Sequence, residues 1–74
     1  MKIEIYGTAI CHLCDEAKEM LQRAGVDAAY IDIVDDDELL ERYGMRIPVL
    51  KQIDSGAELG WPFDAAAVMR FSAK

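Results

Sequence analysis

Basic charge is scarce in this chain: 8 lysines and arginines stand against 14 aspartates and glutamates, a formal net charge of −6. Nucleic-acid binding rests on Lys and Arg displacing phosphate counterions, so the balance argues against that class of function. It argues equally against docking on an anionic membrane surface. Long apolar runs are missing too. No stretch approaches the ~20 residues that a membrane span requires. The opening MKIEIYG carries Glu4 in its middle and makes a poor secretory signal but a good first strand. The expected compartment is therefore the reducing cytoplasm, where a permanent structural disulfide is not expected. There is no internal repeat and no linker, and the only low-complexity tracts are the short DDDE (Asp35 to Glu38) and AAA (Ala65 to Ala67).

What remains is a chain of 74 residues, 53% of them hydrophobic, enough for one domain over residues 1–74 with a real core. Its pattern changes period along the sequence. KIEIY alternates, with Ile3 and Ile5 on one face, and predicts a first strand. In CDEAKEMLQRAG, Cys14, Ala17, Leu21 and Ala24 recur at helical spacing, Asp15 and Glu16 suit the first turn, and Gly25 is a natural stop. AAYIDIV (Ala28 to Val34) predicts a second strand, parallel to the first across a right-handed βαβ connection. DDDELLERYG predicts a second helix, with Asp35 as cap, Glu38 at capping-box spacing, and Leu39, Leu40 and Tyr43 as its apolar side. IPVLKQI and AELG predict two more strands around a hairpin turn at Asp54 to Gly56. DAAAVMRFSAK predicts a last helix capped by Asp64 and buried through Val68 and Phe71. The expected fold is α/β in the order βαβαββα, a four-stranded mixed sheet flanked by three helices.

The chemistry is concentrated in CHLC, where Cys11 and Cys14 stand at the first strand–helix junction. A free thiol, with pKa about 8.5, is mostly protonated at neutral pH. At a helix N-terminus it faces unpaired N–H groups and the positive end of the macrodipole, which favour the thiolate. Cys11 then attacks a substrate disulfide from the exposed edge, and the more buried Cys14 resolves the mixed disulfide. A staple is the weaker reading, because the oxidised pair closes only a tiny loop. His12 lies between the sulfurs, either tuning them as a cation or standing in solvent with little effect. Asp15 and Glu16 act in the opposite sense, raising a nearby thiol's pKa. Pro48, in MRIPVL, opens a strand; a cis Ile47–Pro48 bond would present the backbone of Ile47 to an extended peptide.

With CHLC at this junction and RIP before the third strand, the chain resembles the thioredoxin superfamily. Through CHLCDEA, the YG-x-R-x-PVL run and GWPFD it is similar to short bacterial glutaredoxin-like proteins. The resemblance covers nearly the whole chain. It implies a thioredoxin/glutaredoxin-like fold and a dithiol–disulfide oxidoreductase. It matches Cys11 to the nucleophile, Cys14 to the resolving thiol, Pro48 to the cis-proline and Ile47 to the residue whose backbone meets the substrate. It implies no bound cofactor, glutathione as reductant, and a disulfide-bearing protein or glutathione mixed disulfide as partner, with the chain acting as a monomer.

The sequence also departs from those families. Ile10 stands where thioredoxins have Trp, and His12 where glutaredoxins have Pro. GTAI has no basic residue to meet a glutathione carboxylate, and Arg46 replaces a threonine. Arg46 either supplies the missing positive charge at a substrate-binding position or is a solvated loop arginine. Asp64 is either a contact for an amine or only a helix cap. Phe63 is read as core, whereas Trp61 is either core or an apolar lip beside the site. Two other functions stand beside the oxidoreductase. One is a non-catalytic interaction module on the same fold. The other is an iron–sulfur or metal module, for which two cysteines and His12 fall short of four ligands without a second copy or glutathione.

Overall fold

A computed structural model describes residues 2–9 and 11–73. Its elements run β1 (Ile3–Gly7), α1 (His12–Arg23), β2 (Ala28–Asp32), α2 (Asp37–Tyr43), β3 (Val49–Gln52), β4 (Glu58–Gly60) and α3 (Ala65–Ser72). The expected α/β architecture of four strands and three helices is present. Ile10 and the final Lys74 lie outside the described residues.

The sheet has the order β2-β1-β3-β4, parallel between β1 and β2 and antiparallel elsewhere. Strand alternation sorts side chains between its two faces. Ile3, Ile5 and Leu50 turn to one face and pack with Ala17 and Leu21 of α1 and with Val68 and Phe71 of α3. Tyr6 and Val49 turn to the other, where Ile33 and Tyr43 of α2 complete a smaller cluster. Phe63 belongs to the larger core, as expected. Buried Gln52 ties β3 to α3 through a hydrogen bond from its amide to the Phe71 carbonyl.

Local chemistry sets the boundaries, and several differ from the sequence expectation. Asp36, not Asp35, caps α2, its Oδ1 accepting from the N–H groups of Glu38 and Leu39 at 3.0 and 3.1 Å. In a run of aspartates spacing alone does not choose the cap; the extended backbone of Asp36, φ −128°, does. Leu40 is exposed, so the buried side of α2 rests on Tyr43, with Leu39 beside it. β2 ends at Asp32, whose Oδ1 takes the Val34 N–H at 3.0 Å and turns the chain away. α1 begins at His12, two residues before the apolar period becomes visible at Cys14. At the β3–β4 turn Gly56 takes φ 76°, a left-handed conformation that favours glycine.

Candidate functional site

Cys11 is the N-cap of α1, with extended backbone at φ −91° and ψ 112°. Its sulfur stands where a Ser or Asp oxygen caps other helices. The Cys14 N–H donates to it at 3.1 Å, so the sulfur accepts one of the helix's unpaired N–H groups. The same position puts it at the positive end of the dipole, which favours negative charge there. Cys11 is half-buried and Cys14 fully buried, and both are free thiols. The Cys14 thiol is pushed up from 9.0 to about 11, first by burial and then by its hydrogen bond to Cys11, with the Thr8 backbone opposing. The pair is thus asymmetric, an accessible sulfur that accepts a helix N–H and a buried one whose pKa is raised.

The sheet register assembles the rest of the site at the same edge. Tyr6 pairs with Val49 and Val49 with Gly60. One further step puts Gly7 opposite Pro48, and Pro48 opposite Trp61, whose N–H donates to the Pro48 carbonyl at 3.1 Å. The Ile47–Pro48 bond is cis, as the sequence context predicts, and Trp61–Pro62 is cis as well. Pro48 is fully buried. The Ile47 N–H already donates to the Tyr43 carbonyl at 3.1 Å. A substrate strand pairing with Ile47 would therefore use its carbonyl.

Each of the other sequence candidates has partners of its own. His12 is solvent-exposed and lies 3.7 Å from Glu16, one helical turn on. Asp64 caps α3, its carboxylate accepting from the Ala67 N–H at 2.8 Å. Trp61 is half-buried, meets Phe63 edge to face with ring centres 5.0 Å apart, and packs against the larger core. Arg46 is not a free loop cation, since its guanidinium donates to Glu58 Oε1 at 3.1 Å. Among the described residues no three His, Cys, Asp or Glu side chains converge as metal ligands, and no helix is long and apolar enough to cross a membrane. A groove of about 400 Å³ between α1 and α3, lined by Met20, Arg23 and Met69 among others, contains neither cysteine.

Sequence reasoning misses Gly7. A Cβ built there would lie 2.7 Å from the Cys14 sulfur and 3.1 Å from its Cβ, so the buried thiol fits only because residue 7 has no side chain. The available signal is a glycine ending a strand just ahead of the motif, at a place where helix and strand approach closely. Gly7→Ala is expected to destabilise the reduced protein by roughly 1–3 kcal/mol, the usual cost of overpacking a filled core. Urea unfolding checks this; an unchanged midpoint would show that the sulfur relocates freely.

The sequence matches the Glutaredoxin-like domain (DUF836) family over residues 2–71. No curated protein matches. Among solved structures, the X. campestris protein XcR50, a structural-genomics target, is 40% identical, with TM-score 0.86 over 93% of this chain and 92% of that one. Protein Ne2328 from Nitrosomonas europaea is 25% identical, with TM-score 0.72 over 96% and 89%. Thioredoxin 1 from Thermosipho africanus is 17% identical, with TM-score 0.61 over the full length of both, a likeness of fold alone.

Proposed function

The chain belongs to the glutaredoxin-like domain family (DUF836), and from that premise we propose that it is a thiol–disulfide oxidoreductase working through Cys11 and Cys14. One observation supports this reading above the others. The Cys11 sulfur caps α1 and accepts the Cys14 N–H, while the Cys14 thiol behind it stays protonated.

The Cys11 thiolate attacks one sulfur of a disulfide RS–SR. A Cys11–SR bond forms, the RS–SR bond breaks, and RS⁻ leaves to take a proton from water. Cys14 then loses its proton and attacks the Cys11 sulfur, releasing the second RS⁻. The substrate gains two electrons and the protein becomes the Cys11–Cys14 disulfide. An external thiol, glutathione or a dithiol protein, returns the electrons. Pro48 and Ile47 would seat the substrate strand, and Trp61 would wall it. A disulfide-bearing protein or glutathione mixed disulfide is the partner, the working unit a monomer, and the cytoplasm the compartment that suits a dithiol.

The test is a redox titration of the Cys11–Cys14 couple against glutathione and against a thioredoxin-like dithiol. A single two-electron transition is expected. Two thiols that never oxidise together would remove the reading. One observation favours a second reading, a non-catalytic interaction module, because the Ile47 N–H is already taken by Tyr43. Steady turnover in an assay coupled to glutathione reductase or thioredoxin reductase separates the two.

A further inference from the structure

Arg46 precedes the Ile47–Pro48 bond, yet its guanidinium is held on the face of the sheet opposite α1. Lys51 pairs with Glu58 across β3 and β4, and Val49, two residues before Lys51, belongs to the α2-side cluster. Glu58 therefore points to the α2 side, while Cys14 lies on the α1 side with Ala17 and Leu21. Each Glu58 oxygen has its own donor. Oε1 accepts from Arg46 at 3.1 Å, and Oε2 accepts from the Tyr43 hydroxyl. The guanidinium carbon also lies 5.5 Å from the centre of the Tyr43 ring, and that ring is itself fixed by stacking on Tyr6 at 4.7 Å and 9°. Glu58 is held below the usual carboxylate range, first by the Tyr43 hydrogen bond, against some opposition from burial, with Arg46 adding to the lowering.

On α1, carboxylates stand beside the exposed basic side chains: His12 lies 3.7 Å from Glu16, and Lys18 lies 3.7 Å from Asp15. Among the described residues of α1 and of the loop before Pro48, every Lys, Arg and His side chain has a carboxylate within 4.0 Å.

We infer that Glu58 sets the charge preference of the site: by clamping Arg46 on the far face, it disfavours anionic disulfides such as glutathione disulfide and leaves neutral disulfides as the better substrates. The inference rests on the oxidoreductase reading and names the class of substrate for that same site. A cation and an anionic substrate on a solvated surface interact weakly, so a modest effect is expected.

The test measures single-turnover oxidation of the reduced protein by glutathione disulfide and by neutral bis(2-hydroxyethyl) disulfide, at low ionic strength. Glu58→Gln can still accept the Tyr43 hydrogen bond but no longer holds Arg46 by charge. It is expected to speed glutathione disulfide by about three- to fivefold and to leave the neutral disulfide within about twofold. Adding Arg46→Gln should abolish that gain, and raising the salt concentration should shrink it. Equal changes with both disulfides, no change with either, or a gain that survives Arg46→Gln would overturn the clamp. Failure of the unmodified protein to be oxidised by either disulfide would instead strike the oxidoreductase reading beneath it.

Discussion

Cys11→Ser is expected to bring disulfide exchange down to the uncatalysed background, a loss of at least about a thousandfold with any small disulfide. The thiolate is the nucleophile, and a serine hydroxyl has almost no anion at neutral pH. Serine is a good N-cap, so the variant should fold with α1 intact. Loss of reaction would then report chemistry and not structure. Cys14→Ser should behave in the opposite way. Cys11 remains free to attack, but the buried group behind it can no longer resolve, so the mixed disulfide accumulates in a one-to-one adduct. Mass spectrometry of both variants after exposure to a small disulfide decides the matter. An adduct on Cys11→Ser, or none on Cys14→Ser, would reverse the assigned roles.

The second large effect is a steep pH dependence of the resolving step. A thiol with its pKa near 11 is ionised to only about one part in ten thousand at pH 7. Once Cys11 is in a mixed disulfide its thiolate no longer acts on Cys14, but burial, the first cause of the shift, remains. Release of the second thiol should therefore quicken by about tenfold per pH unit from neutral pH through at least pH ~9. Rapid-quench measurement of that release is the check, and a plateau below pH ~8 would contradict it. The same shift has a consequence for stability. The folded pKa lies above the ordinary 9.0, so the protonated thiol's contribution is whole below pH 9.0 and is lost as pH climbs through about 11. Reduced protein should weaken over that window relative to Cys14→Ala.

Most of the fold could be read from periodicity. β1 and α1 announce themselves through Ile3, Ile5, Ala17 and Leu21, all of which are buried together. The cap of α3 by Asp64 is also read correctly. The cap of α2 is missed by one residue because three adjacent aspartates offer the same side chain and only backbone geometry separates them. The cysteine asymmetry was legible because a helix start imposes it. The partners of Arg46 and Ile47 were not, since Glu58 is twelve residues away from Arg46 and meets it only through the β3–β4 pairing. Gly7 was unreadable for a related reason, as its requirement comes from a sulfur seven positions later that reaches it only after α1 packs on the sheet.

The smaller core on the α2 face has a dynamic consequence. Among the described residues, four (Tyr6, Ile33, Tyr43 and Val49) form its buried centre, against eight in the cluster on the opposite side. The N–H groups of Arg46 and Ile47 both donate to the Tyr43 carbonyl, at 2.8 and 3.1 Å. The proline loop is thus leashed to the last turn of the less deeply anchored helix. Amide exchange should show these two loop protons trading with solvent in step with the end of α2, ahead of β1 and α1. The substrate side of the site would then breathe while the sulfur side stays still.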